Sequence, residues 1–137
     1  MEVKIYNNLP QHAIEIRNEV FVDEQGFKEE FDTDDSISIH LVGFIDDLAV
    51  ATARIIPKGD DCFMIGRVAV KENFRNQKLG AQIIANAENI IMELSGKTAL
   101  IHSQLQAVPF YEKQGYSPTG QKDFEEDCEH WMLVKHL

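Results

Sequence analysis

The chain has 137 residues, 44% of them hydrophobic, one domain's worth with enough apolar side chain to bury a core, since domains commonly run to about 100–150 residues. Its net charge of -10 opposes a nucleic-acid binder, because Lys and Arg on phosphates supply most of that affinity. No run approaches the roughly 18 apolar residues of a spanning helix and the start has no signal-peptide core, so a cytoplasmic protein without a membrane partner is expected.

In chain order, residues 1–6 alternate Val3 and Ile5 with polar neighbours and predict an edge strand, after which Leu9-Pro10 punctuates. Ala13, Ile14, Ile16, Arg17, Val20 and Phe21 then give a helix an apolar face, and Gly26 suits its C-terminal cap. Residues 23–35 carry seven acids (Asp23, Glu24, Glu29, Glu30, Asp32, Asp34, Asp35) against Lys28 alone. This acidic pole is read either as a solvated loop with a short helix or as the mouth that focuses a cationic acceptor.

Residues 37–45 and 48–56 predict a hairpin about Asp46-Asp47, and 57–61 turn again into a third antiparallel strand at 62–70. A long helix is predicted over 77–94, with Leu79, Ile83, Ile84, Ala87 and Ile91 on one face and Ser95-Gly96 stopping it. Residues 98–103 read as a short buried strand, parallel to 62–70 because a helix lies between them as a right-handed crossover. A second short helix at 106–114, a strand start at 116–119, an acidic loop at 121–129 and a closing strand at 130–135 complete the chain. The periodicity therefore predicts an α+β fold, a mixed sheet with helices on both faces. Strands at both chain ends leave edges through which a homodimer could pair.

The chemistry concentrates where the third strand runs into the long helix. Arg75-Asn76-Gln77-Lys78-Leu79-Gly80-Ala81 places two cations and two residues with little or no side chain at a helix start. There, unpaired N–H groups and the dipole favour an anion and Gly lets it approach the backbone. Neither a P-loop nor a dinucleotide fingerprint is present. Cys62 and Cys128 form no C-x-x-C, and although Cys128-Glu129-His130 holds two potential ligands, the expectation is two free thiols and no metal.

Val68-Ala69-Val70, followed after four residues by Arg75-x-x-Lys78-x-Gly80-Ala81, resembles the acyl-CoA-binding motif of the GNAT superfamily of N-acetyltransferases, usually (Arg/Gln)-x-x-Gly-x-(Gly/Ala). Lys78 stands where Gly is usual; either it is strained if that position needs positive φ, or it adds charge for a pyrophosphate. A second motif, Phe110-Tyr111 four residues before Gly115, is similar to the aromatic-Tyr pair of the same family. The resemblance spans essentially the whole chain, residues 1–137, as one domain.

That resemblance implies a GNAT-like fold, a mostly antiparallel sheet of six to seven strands in which two central parallel strands splay apart as the cofactor slot. It implies acetyl-CoA as co-substrate and a primary amine as acceptor. Backbone of Val68, Ala69 and Val70 would align pantetheine, with the Val70 N–H polarising the acetyl carbonyl. Arg75, Asn76, Gln77, Lys78, Leu79, Gly80 and Ala81 would hold the pyrophosphate, and Ser103, Gln104, Gln106 and Phe110 lie where further cofactor contacts are expected. Tyr111 would deliver a proton to the departing thiolate. For the base, Glu24, Glu72, His40 and His102 each offer a proton acceptor; Glu24 alternatively pairs with Arg17, and His40 and His102 are explained equally well as hydrogen-bonded strand histidines.

Acidic walls at 23–35 and 121–129 lead to the expectation of a small cationic acceptor. A competing reading, favoured by Lys78, is a non-catalytic acyl-CoA sensor; loss of turnover with retained acetyl-CoA binding in Tyr111→Phe would separate the two.

Overall fold

The computed structural model describes residues 1–28 and 30–137; Glu29 of the acidic run lies outside the described residues. Seven strands form one sheet in the order β1-β2-β3-β4-β5-β7-β6: β1 Glu2–Tyr6, β2 Ile39–Ile45, β3 Leu48–Gly59, β4 Cys62–Val70, β5 Thr98–Gln104, β6 Ser117–Glu125 and β7 Cys128–His136. The helices are α1 Gln11–Arg17, α2 Leu79–Glu93 and α3 Val108–Lys113. All pairings are antiparallel except that of β4 with β5.

Strand alternation distributes the core onto two faces. Leu41, Ala53, Ile55, Ile65 and Ile101 meet Ile83, Ile84, Ala87 and Ile91 of α2 and Val108 and Tyr111 of α3. Val42, Phe44 and Ala69 meet Ala13, Ile16, Val20 and Phe21 on the other face. Helices on both faces follow directly from these two apolar sets.

Three local features differ from the periodicity reading. The first helix ends as α-helix at Arg17 and continues as a π-helical turn over Asn18–Glu24, a widened turn that lets consecutive Val20 and Phe21 both bury. The short helix expected in the acidic run is a 3-10 turn, Thr33–Ile37, capped by Asp32 and Asp35. The acidic loop expected at 121–129 is instead a hairpin, in which Glu126 (φ 47°) and Asp127 (φ 69°) make the turn between β6 and β7. Every residue of β6 is exposed, so an edge strand with two wet faces carried no apolar alternation to announce it.

The splay that creates a slot is present. Parallel pairing of β4 with β5 runs from Cys62↔Thr98 to Ile65↔Ile101 and stops. Beyond that point β4 contains a bulge: Thr52 faces Ala69 and Arg54 faces Gly66, so Arg67 and Val68 together oppose Ala53, with Arg67 at φ 50°. A bulge adds a residue and bends its strand, and here it turns the end of β4 away from β5.

Candidate active site

The cleft that opens at the splay has a volume of about 410 Å³ and is walled by Gly66, Arg67 and Val68 of β4, by His102, Ser103 and Gln104 at the end of β5, and by Tyr111 of α3. Glu125 and His130, from the β6–β7 hairpin, close its far side. Tyr111 thus stands with His102 along one cavity, with eight residues between them in the chain.

Burial pushes the Tyr111 hydroxyl far up, so it stays protonated throughout the neutral range and can offer a hydrogen to a thiolate. His102 Nε2 lies 2.6 Å from Asp123 Oδ1, and its ring stacks on His130 at 4.7 Å between centroids. Ser103 is buried and its hydroxyl donates to the Gln104 carbonyl at 2.8 Å.

The other base candidates sit elsewhere. Glu24 does not pair with Arg17; it takes two hydrogen bonds from Arg75, from Nη1 at 2.6 Å and from Nη2 at 2.8 Å. These hydrogen bonds hold the Glu24 carboxyl below its usual range, and Glu24 lies with Glu72 in a separate depression beside Lys71 and Phe74. His40 is buried with Nε2 2.9 Å from the Asp35 carbonyl, and burial lowers its basicity. His102 is the one of the four that lines the main cleft.

Three carboxylates of the acidic run, Glu30, Asp32 and Asp35, are held in ion pairs with arginines. Arg17 binds Glu30 at 2.7 Å and Asp35 at 2.8 Å, Arg54 binds Asp32 at 2.7 Å and Asp35 at 3.0 Å, and Arg67 binds Glu30 at 2.9 Å and Asp32 at 3.2 Å. Three guanidiniums therefore neutralise three carboxylates on that wall. Asp123 and Glu125 of the hairpin remain on the other wall without an Arg or Lys ion pair among the described residues, whereas Glu129 lies on the opposite face of the hairpin, where it accepts from Trp131 Nε1 at 2.6 Å.

The cradle at the start of α2 has the shape an anion needs. Lys78 takes the N-cap position at φ 63°, ψ 19°, no side chain caps the helix, and its first turn holds no acid. Asn76 also has positive φ, 64°. The Arg75 side chain does not project freely; besides Glu24, its Nε donates to the Val70 carbonyl at 2.9 Å, tying the loop to the end of β4. Gly80 packs closely under Phe110: a Cβ there would lie 3.1 Å from Phe110 Cζ, so the ring would have to shift to admit one. The first and second motifs therefore touch at Gly80 and Phe110.

Sequence reasoning missed Arg54, Arg67 and His130 as lining residues, while Glu125 falls within the acidic wall expected at 121–129. They meet only through strand register and the β4 bulge, neither of which leaves a local signature.

A mixed seven-stranded sheet, splayed at its central parallel pair with an uncapped helix start beside the opening, defines an acyl-CoA N-acyltransferase fold. Residues 7–137 match the acetyltransferase (GNAT) domain family. Protein ElaA of Escherichia coli is 32% identical over 130 residues, covering 90% of this chain and 85% of ElaA. The ElaA crystal structure superposes with a TM-score of 0.83 at 28% identity, over 96% of this chain and 97% of that one. An aminoglycoside 6'-N-acetyltransferase complexed with coenzyme A shares the fold, with a TM-score of 0.78 at 13% identity over 99% and 97% of the two chains. The chain belongs to the GNAT family of acetyl-CoA-dependent N-acetyltransferases. Among the described residues, no helix is long and apolar enough to cross a membrane.

Proposed function

We propose that this enzyme transfers the acetyl group of acetyl-CoA to a primary amine of a small cationic acceptor, by direct attack through a tetrahedral intermediate. The observation that carries the reading is the end of β4–β5 pairing at Ile65 and Ile101, which opens a cleft bearing both Tyr111 and His102.

In this reading, backbone of Val68, Ala69 and Val70 aligns the pantetheine arm as an added strand, and the Val70 N–H stabilises the oxyanion as the amine attacks the thioester carbon. N–H groups of 76–81 and the Lys78 ammonium hold the pyrophosphate. Ser103 borders the pantetheine, and Phe110, seated over Gly80, fixes the spacing between cradle and slot. His102, oriented by Asp123, takes the proton that the attacking ammonium must lose. As the tetrahedral intermediate collapses, the C–S bond breaks and the Tyr111 hydroxyl hydrogen-bonds the leaving thiolate.

The acceptor class rests on the hairpin wall, where Asp123 and Glu125 lack an Arg or Lys ion pair among the described residues. On the 30–35 wall, Glu30, Asp32 and Asp35 are occupied by Arg17, Arg54 and Arg67 and contribute shape more than charge, while Asp34 also lines the cleft.

The test is calorimetric titration with acetyl-CoA, desulfo-CoA and ADP, followed by thiol release against a panel of amines. Tight binding of both CoA species with weak ADP binding is expected, with turnover on polyamines, amino sugars or peptide amines. Turnover confined to phosphorylated or carboxylated acceptors would overturn the cationic assignment. In Tyr111→Phe, acetyl-CoA affinity should hold while kcat falls by about 10²–10⁴-fold, the usual worth of a positioned proton donor.

A further inference from the structure

Three strands of the sheet bring together residues that no sequence motif connects. His102 of β5 pairs with Met132 of β7, so His130, two residues along, shares its face; Asp123 of β6 pairs with His130, and Glu125 lies two residues from Asp123. Register alone thus sets two imidazoles and two carboxylates on one surface of the cleft.

The hydrogen bonds around this group fix which ring nitrogens are free. His130 Nδ1 lies 2.9 Å from the Cys128 carbonyl, which can only accept, so Nδ1 carries the hydrogen. In the neutral ring, Nε2 then carries a lone pair, and it lies 3.7 Å from Glu125 Oε2. His102 Nε2 faces Asp123 Oδ1 at 2.6 Å, which leaves Nδ1 as the lone pair, 3.4 Å from Glu125 Oε1. Two nitrogen lone pairs and a carboxylate therefore converge, with all three ligand atoms within 4.8 Å of one another. Acceptors facing acceptors repel unless something positive lies between them.

We propose that His102 Nδ1, His130 Nε2 and Glu125 form a divalent zinc site with one coordination position open to the cleft. Zn–N and Zn–O bonds of about 2.0–2.2 Å place neighbouring ligands of a tetrahedron roughly 3.3 Å apart; His102 Nδ1 lies 3.4 Å from Glu125 Oε1 and His130 Nε2 3.7 Å from Glu125 Oε2, so a small rotation of the Glu125 carboxylate brings one oxygen to both. Imidazole nitrogens favour a transition metal over Mg²⁺ or Ca²⁺, which take oxygen ligands. Asp123 on His102 and the Cys128 carbonyl on His130 supply the outer hydrogen bonds that orient metal-bound histidines. Phe27 packs edge-on against His130 at 6.5 Å and restricts that ring on its other side. The Cys128 thiol, which the sequence offered as a ligand, belongs to no such group; its sulfur lies 3.9 Å from the Glu129 carbonyl.

The proposal stands apart from acetyl transfer. His102 Nδ1 can be a ligand or a base but not both at once, so zinc occupancy and base catalysis at this atom exclude each other. Binding is therefore measured without turnover.

The experiment uses the untagged full chain, stripped of metal by chelator and dialysed, then titrated with ZnCl₂ by calorimetry and with CoCl₂ by visible absorption. One equivalent of Zn²⁺ is expected, with d–d bands from Co²⁺ that Zn²⁺ displaces. His130→Gln and Glu125→Gln should abolish the bands, and Asp123→Asn should weaken Zn²⁺ binding by about 10–100-fold. Circular dichroism checks each variant's fold; should buried His130 prove necessary for folding, half-exposed Glu125 still decides. Absence of saturable binding, or binding that Glu125→Gln leaves unchanged, would overturn the site and leave a shared proton to bridge these groups.

Discussion

Lys78 adopts a left-handed conformation that an L side chain rarely takes. Its φ of 63° is the left-handed conformation in which an L side chain costs roughly 1–2 kcal/mol, so the strain foreseen from a Lys in a Gly position is built into the loop. Lys78→Gly is expected to stabilise the fold by about 1 kcal/mol, read as a raised urea midpoint with unchanged slope. If the ammonium also holds the pyrophosphate, the same variant binds acetyl-CoA more weakly and with less salt dependence. Affinity that rises with stability would mean that Lys78 contributes nothing to the anion. The position was legible in the sequence because the pattern brackets it. The left-handed Arg67 in the β4 bulge was not, since nothing about an Arg between Gly66 and Val68 distinguishes it from a strand residue.

At the scale of elements, the two motifs are one packing unit. Phe110 of α3 rests on Gly80 in the first turn of α2, where an added Cβ would sit 3.1 Å from the ring. Gly80→Val is expected to destabilise by about 1–3 kcal/mol through overpacking and to lower acetyl-CoA affinity by displacing the first turn of α2; Phe110→Ala in the same background should recover part of both. Recovery in neither quantity would mean that the Gly80 backbone, and not the ring above it, sets the requirement. Strand β5 and helix α2 were readable because each has one dry face, which prints a period of 2 or 3.6, and β2 and β3, dry on both faces, were readable as apolar, β-branched runs between turns. Residues 121–129 offered only a loop for the opposite reason, although strands were expected on either side of them, and the alignment of Glu125 and His130 with His102 went unseen. Those alignments depend on which strand inserts beside β5, a choice made by tertiary packing.

Across the whole molecule, the carboxylates at 30–35 act as the clasp between α1, β3 and the β4 bulge. Arg17 arrives from α1, Arg54 from β3 and Arg67 from the bulge, and each binds two carboxylates. Removing one partner from such a buried network strands its counter-ions, so Arg17→Met is expected to cost about 3–5 kcal/mol. The same clasp predicts acid sensitivity. Hydrogen bonding from Arg54 holds Asp32 below its usual range; for Asp35, burial pushes upward but bonding from Arg17 and Arg54 outweighs it. With folded values below unfolded ones, these two groups bind fewer protons when folded. Their stabilisation is complete above the unfolded value of about 3.9 and is lost as pH falls from there through the depressed folded values. Glu30 works in the opposite sense, because burial raises it, so wild-type stability alone would mix the two. The comparison to make is urea denaturation from pH 6 to pH 3 in wild type and Asp35→Asn: the variant should be less stable at pH 6 and the gap should narrow toward pH 3. A gap that stays constant with pH would mean that Asp35 contributes through shape and neutral hydrogen bonds, and that the charge on this wall does not hold the bulge in place.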